Sequence, residues 1–160
     1  YLRAGAEATG LPAEAFDLVL FSNSLHHVPD PPAALAEARR ILVPGGRVAV
    51  MEPEGDDALT PVMRFIDDET AVYAAVIAAV EAAVAAGHFD RRQTLRFARR
   101  YTVASPEAML ADLMTVDSGR RLAPGDRADF EAAFAAARVR DGAESYIPYH
   151  QRIDVLSRRL

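Results

Sequence analysis

The sequence has 160 residues, 51% of them hydrophobic, and a formal net charge of −5 at pH 7, which is typical of a single globular domain. All 18 basic residues are Arg and the 23 acidic residues outnumber them, so the chain lacks the basic excess that a nucleic-acid partner favours. The absence of Cys excludes disulfides and thiolate chemistry, and the longest apolar run, residues 71–80, is too short to cross a membrane. We expect a cytoplasmic protein with no membrane or nucleic-acid partner.

The N-terminal third carries the pattern of a strand, a helix and a second strand. Residues 16–21 and 47–52 are nearly continuous apolar runs, which is typical of strands buried in a parallel sheet. Between them the spacing predicts a helix over residues 31–43, because Asp30 can cap its start and Gly45 follows its end. The order predicts a βαβ unit, an α/β fold, and a ligand site at the carboxyl ends of the strands.

Polar side chains follow both predicted strands. They are Ser22, Asn23, Ser24, His26 and His27 after the first strand, and Glu52 and Glu54 at the second. Such a cluster is typical of a small-molecule site, although a polar loop between buried elements gives the same pattern. One of the paired His side chains can equally be a hydrogen-bonded core residue. A metal site of His26, His27 and Asp30 lacks a further strong ligand at fixed spacing, so no metal is predicted.

Four segments of this region resemble, in order and spacing, motifs of the class I S-adenosylmethionine-dependent methyltransferases. They are AGAEATGLP (residues 4–12), FDLV (16–19), LHHVPDP (25–31) and RILVPGGR (40–47). The resemblance covers about one third of the chain and is closest to the branch that acts on small molecules. It implies a Rossmann-like doubly wound sheet, S-adenosyl-L-methionine as cofactor, and methyl transfer to a small-molecule substrate.

The resemblance also implies which residues contact the cofactor. The matching positions are Gly5, Ala6 and Glu7 on the adenine side, and Ser22, Asn23 and His27 on the methionine side. The family's frequent Asp falls on Gly5, which has no side chain to accept a hydrogen bond from adenine. The contact must therefore come from Glu7 or from the backbone.

The Gly-rich turn of the family is missing from this sequence. No G-x-G spacing occurs anywhere in it, and residue 1 is Tyr, so we interpret the chain as the C-terminal part of a longer methyltransferase whose activity in isolation is doubtful. The missing turn also argues against a nicotinamide-binding dehydrogenase. The alternative function is a non-catalytic half-domain or pairing module. A homo-oligomer formed through the sheet edge left open by the absent strands is expected in either case.

The segment after the second strand predicts helices that cap the substrate. Apolar residues recur at helical spacing over residues 61–86, in one long helix or two shorter ones, and we expect a helical cap over residues 55–100. A helix that packs in the core is the alternative. Glu69 lies between Phe65 and Tyr73 on the apolar stripe. Candidate acid–base residues for catalysis are Glu69, Tyr73 and His26, with Glu52 as a further candidate base.

The remaining sequence predicts an Arg-rich surface, two helices and a closing strand. Five Arg residues between positions 91 and 100 form either a solvated face or a site for an anionic substrate. A helix opened by Ser105 would bury Met109, Leu110, Leu113 and Met114, and one opened by Asp126 would bury Phe130 and Phe134. Alternation and an internal Pro over residues 146–155 favour a strand at a sheet edge.

Overall fold

The computed structural model describes residues 3–116 and 119–159. Its first elements are strand β1 (Phe16–Ser22), a short 3-10 helix (Leu25–His27), helix α1 (Pro31–Ile41) and strand β2 (Leu42–Pro53). Helices α2 (Thr60–Met63) and α3 (Thr70–Ala85) and strand β3 (Phe89–Thr102) follow. The last elements are helices α4 (Pro106–Val116) and α5 (Arg127–Ala137) and strands β4 (Val139–Asp141) and β5 (Glu144–Arg158). None of these described helices combines the length and the apolar character needed to cross a membrane.

The strands form a mixed sheet in the order β1-β2-β5-β3, with β4 paired to β5. β1 and β2 are parallel neighbours, with Val19 opposite Val48 and Phe21 opposite Val50. The predicted βαβ unit, and with it the α/β fold class, is therefore confirmed.

β5 occupies an interior position, between β2 and β3, so the prediction of an edge strand was wrong. It runs antiparallel to β2 from Gln151, opposite Pro53, to Ser157, opposite Arg47. Pro148, which suggested an edge, lies outside this register. Its missing N–H therefore removes no hydrogen bond to β2.

Helix α1 begins where the sequence predicts and ends earlier. The Asp30 carboxylate accepts a hydrogen bond from the Ala33 N–H at 3.0 Å, which is the expected N-terminal cap. The helix ends at Ile41, and the Pro-Gly-Gly segment lies within β2 at an irregularity in the pairing with β1. A Cβ on Gly46 would lie 2.9 Å from the Val43 carbonyl oxygen, so this bend requires Gly.

The chain divides into two compact units. The first comprises Tyr1–Glu54, Ala71–Phe97 and Gln151–Leu160, and the second comprises Gly55–Thr70 and Ala98–His150. In the first unit, buried residues of α1 and α3 pack with the side chains on one face of the sheet. This core includes Phe21, Leu35, Ala38, Val48, Val50, Val76, Val80, Phe89 and Leu156.

Helix α3 packs in the core, and β3 begins at Phe89, so only part of the expected cap over residues 55–100 is helical. That this segment caps a substrate stays a prediction. The buried residues of α3 belong to the core beneath the sheet. Residues 71–97 of the expected cap therefore belong to the first unit, whereas residues 55–70 belong to the second. Val76, Ala79 and Val80 of the apolar stripe are thus buried in the core.

The second unit has a core of its own. Its buried residues are Val62, Val103, Met109, Leu113, Phe130, Phe134 and Ile147, with Phe65 and Ile66 packed against them. The predicted stripes of α4 and α5 are confirmed at these positions, but Met114 is largely exposed. Glu69 lies in neither helix, because α2 ends at Met63 and α3 begins at Thr70.

The outer face of β1 is exposed in the described part of the chain. Val19 and Phe21 point to the core, whereas Leu18 and Leu20, on the opposite face, are 57% and 60% exposed. β1 is also an end strand of the sheet. Parallel strands are ordinarily covered on both faces, so this exposure is unusual.

We predict that two identical Leu-to-Ala substitutions differ sharply in their effect on stability. Leu35 is 1% exposed, so Leu35→Ala should lower the free energy of unfolding by about 2–5 kcal/mol. Leu20→Ala should lower it by about 1 kcal/mol or less. Urea denaturation of both variants measures the difference. Equal losses would show that the outer face of β1 is covered in solution.

Candidate active site at the carboxyl ends of β1 and β2

The loop after β1 is organised by the carboxylate of Glu52 on β2. Glu52 is 4% exposed, and its Oε1 accepts hydrogen bonds from the backbone N–H groups of Ser24 at 3.2 Å and Leu25 at 2.7 Å. A buried carboxylate is costly unless hydrogen bonds compensate for its lost hydration. Glu52 thus fixes the start of the short helix that carries the two His residues.

The second oxygen of Glu52 contacts His26. Glu52 Oε2 and His26 Nδ1 form a buried side-chain pair. An ionised carboxylate can only accept a hydrogen bond, so Nδ1 carries a proton and Nε2 is the nitrogen that can act as a base. This is the arrangement of a general base oriented by a carboxylate.

Two further aromatic rings surround the His26 imidazole. The His27 ring centroid lies 3.9 Å from that of His26, and the Tyr73 ring meets His26 edge to face at 4.9 Å. Tyr73 reaches this position because it lies one turn before Val76 on α3, whose buried side packs against the sheet. The structure therefore brings His26 and Tyr73, two predicted catalytic residues, together with His27 and Glu52.

Asn23 directly follows β1 and adopts an unusual backbone conformation. Its φ of 47° is in the left-handed region, and its N–H donates to the Met51 carbonyl oxygen at 2.8 Å. Its side-chain Oδ1 accepts a hydrogen bond from Gln151 Nε2 at 2.8 Å. Ser22 and Asn23 are both exposed at the strand end, where the sequence places the methionine end of a cofactor.

The predicted adenine-side residues form a tight turn. The Ala8 N–H donates to the Gly5 carbonyl oxygen at 3.2 Å, and Ala6 and Glu7 lie between them, partly buried. A Cβ on Gly5 would lie 3.0 Å from Glu7 Oε2. The Glu7 carboxylate thus lies beside the position that a side chain at residue 5 would take, and its contact with adenine stays a prediction.

Helix α1 anchors this turn through Glu37. Glu37 Oε1 accepts hydrogen bonds from the Thr9 N–H at 2.9 Å and the Thr9 hydroxyl at 2.6 Å. Arg40 donates to both oxygens of Glu37 and to the Leu11 carbonyl oxygen. The hydrogen bond from Arg40, followed by that from Thr9, lowers the pKa of Glu37 from 4.5 to about 2.

Glu69 lies in the second unit and is paired there with Arg120. Arg120 Nη2 is 3.5 Å from Glu69 Oε1 and 3.0 Å from Asp67 Oδ2. The Glu69 side chain is 13% exposed. Its proposed acid–base role stays a prediction.

The Arg-rich segment is β3, and acidic groups of the chain itself pair with several of its side chains. Arg91 pairs with Glu81 at 2.8 Å, and Arg96 pairs with Glu54 at 2.7 Å. Arg91, followed by Arg152, lowers the pKa of Glu81. These ion pairs account for Arg91 and Arg96 without an anionic substrate.

Sequence reasoning missed three residues that shape the site: Glu37, Arg40 and Gln151. For Glu37 and Arg40, the only sequence signal is their spacing of three residues on α1, which allows a mutual pair. Gln151 gave no local signal, because it meets Asn23 only through the pairing of β5 with β2.

We predict that Glu37 makes stability fall at acidic pH. Its pKa is lower in the folded state, so its stabilising effect is complete above about pH 4.5 and is lost as the pH falls towards 2. The loss should be about 2 kcal/mol. Denaturation of wild type and Glu37→Gln at pH 6, 4 and 2.5 should show their difference shrinking with acidification. A constant difference would contradict the assignment.

Comparison with known proteins supports the sequence resemblance. Residues 1–50 match the family model of the methyltransferase domain. The ubiquinone/menaquinone biosynthesis C-methyltransferase UbiE of Shewanella halifaxensis is 40% identical over 52 residues, which are 32% of this chain and 21% of that protein. The match thus spans about a fifth of the length of this relative.

Solved structures extend the likeness to the whole chain. A proposed methyltransferase of Bacillus halodurans superimposes with a TM-score of 0.67 at 16% identity, covering 100% of this chain and 78% of that one. An S-adenosylmethionine-dependent methyltransferase of Thermotoga maritima has a TM-score of 0.52 at 15% identity, covering 98% and 62% of the two chains. The fold is therefore that of the class I S-adenosylmethionine-dependent methyltransferases, and residues 1–50 carry the sequence of their methyltransferase domain.

Proposed function

We propose that this chain takes part in S-adenosylmethionine-dependent methyl transfer to a small-molecule acceptor, and that it contributes the acceptor side of the active site. The methyltransferase-domain match and the fold support the reaction class. The buried His26–Glu52 pair at the carboxyl ends of parallel strands is the observation that carries the proposal.

The residues present fit two parts of the cofactor. The turn at Ala6 and Glu7 offers backbone N–H groups and a carboxylate to an adenine ring, and Ser22 and Asn23 offer hydrogen-bonding groups to the amino-acid end. The sequence contains no G-x-G turn to approach the sugar. When bound, S-adenosylmethionine supplies an electrophilic methyl group on a sulfonium.

His26 is the proposed general base. Its Nε2 would take the proton from an O–H or N–H of the acceptor, or from an acidified C–H, as the acceptor forms its bond to the methyl group. Glu52 keeps Nδ1 protonated and stabilises the imidazolium that results. Tyr73 and His27 limit the orientations of the His26 ring. Positioning of the acceptor supplies the rest of the rate enhancement.

Glu52→Gln tests the role of Glu52 in orienting His26 separately from its role in holding the loop after β1. Gln keeps a carbonyl oxygen for the Ser24 and Leu25 N–H groups, but its amide presents a donor to His26 and reverses the imidazole tautomer. We predict that His26→Gln and Glu52→Gln each lower turnover about 100-fold or more, with cofactor affinity changed less than about threefold. Steady-state kinetics with calorimetry measure both.

The matched control is His88→Gln, because His88 is exposed and belongs to no part of the site. The variants are to be compared in a form of the enzyme that turns over, either this chain alone or this chain with the sequence that completes the cofactor site. Wild-type turnover in both His26→Gln and Glu52→Gln would show that His26 is not a general base.

We further propose that the chain is part of a longer methyltransferase. Without a G-x-G turn or a ribose carboxylate, several hydrogen bonds to the cofactor are missing, each worth about 1.5–3 kcal/mol where a charge is involved. Calorimetry of the 160-residue chain with S-adenosylhomocysteine should show a Kd weaker than about 100 μM. Micromolar binding would contradict the proposal.

A second candidate function is a non-catalytic module that pairs through β1 with a second copy of the chain. The exposed Leu18 and Leu20 on an end strand favour it. Leu18 and Leu20 of one copy can face Leu20 and Leu18 of another across an antiparallel two-fold axis through Val19. Sedimentation analysis of wild type and Leu18→Lys distinguishes the two functions. A dimer that the substitution dissociates, without methyl transfer, would favour the module.

A further inference from the structure

Gln151 makes an asymmetric set of contacts beside the candidate active site. It is 3% exposed and lies opposite Pro53, at the end of the sheet that carries Glu52 and Asn23. Its Nε2 donates to Asn23 Oδ1 at 2.8 Å. Its Oε1 is buried and has no hydrogen-bond partner among the described residues.

The unpartnered oxygen of Gln151 lowers the stability of the folded state. A buried acceptor without a donor loses its hydration and gains nothing in return. An apolar side chain of similar length would avoid this cost. Stability alone therefore does not account for Gln at this position, and its one side-chain hydrogen bond, to Asn23, indicates what it contributes.

The contact determines the polarity of the Asn23 side chain. Because Oδ1 accepts from Gln151, the Nδ2 group of the same carboxamide is directed away from Gln151. Asn23 is exposed, and its left-handed backbone holds it immediately after β1. The strand end thus presents N–H donors, which suit an acceptor oxygen on a bound molecule.

We propose that Gln151 is a positioning residue that fixes the Asn23 carboxamide with its N–H groups towards the ligand site, where they bind a carbonyl or carboxylate oxygen. The inference rests on the proposed function for the identity of the ligand. The oxygen belongs either to the amino-acid end of the cofactor or to the methyl acceptor.

The polarity can be tested on the chain without any ligand. Nuclear magnetic resonance of the side-chain amides should show slow hydrogen exchange for the Gln151 NH2 group and fast exchange for that of Asn23. In Gln151→Met the Asn23 amide should lose its fixed orientation. A protected Asn23 amide with a freely exchanging Gln151 amide would overturn the proposal, whether or not the chain is a methyltransferase.

A double-mutant cycle tests the positioning role in the active enzyme. Gln151→Met removes the unpartnered oxygen and should leave the midpoint of urea unfolding unchanged or raised, while ligand binding weakens about tenfold. Asn23→Gly keeps the left-handed backbone and should weaken binding equally. The double variant should be no worse than Asn23→Gly alone, because Gln151 acts through Asn23.

Two readouts identify the source of the oxygen. A change in the Kd of S-adenosylhomocysteine assigns it to the cofactor, and a change confined to the KM of the methyl acceptor assigns it to the substrate. A lowered unfolding midpoint for Gln151→Met with Kd and KM both unchanged would show a structural role only and overturn the proposal. Loss of methyl transfer in the His26 variant tests the reaction separately.

Discussion

The buried carboxylate of Glu52 is the constraint on which the candidate site depends. One oxygen holds the loop after β1 through two backbone N–H groups, and the other orients His26. Both functions require that β1 and β2 be parallel neighbours, because only then do the two strand ends meet at one edge of the sheet. The same carboxylate therefore links the βαβ unit to the chemistry proposed for it.

The core of the first unit supports this arrangement from one side of the sheet. Helix α3 buries Val76 and Val80 and thereby brings Tyr73 to the His26 ring. Helix α1 buries Leu35 and anchors the turn before β1 through Glu37. The opposite face of β1 has no comparable cover among the described residues. The face of the sheet that carries the core is thus well supported, whereas the outer face of β1 is not.

The sequence allowed the βαβ unit and the strand-end site to be predicted, because both rest on local signals. Continuous apolar runs, the Asp30 cap and the order of the methyltransferase motifs all lie within the N-terminal third. The position of β5 could not be predicted in this way, since it depends on pairing with β2 across nearly the whole chain. Pro148 suggested an edge strand, but it lies outside the part of β5 that pairs with β2.

Of the two possibilities for residues 61–86, the structure shows two helices, because the apolar stripe runs through a break between α2 and α3. Asp68 accepts hydrogen bonds from the Thr70 N–H and hydroxyl at the start of α3. An Asp two residues before a Thr is a sequence pattern that can indicate such a helix start. Nitrogen-15 chemical shifts of the His26 imidazole test the central claim most directly. We expect the proton on Nδ1 in wild type and a changed tautomer in Glu52→Gln. A wild-type ring protonated on Nε2 would contradict it.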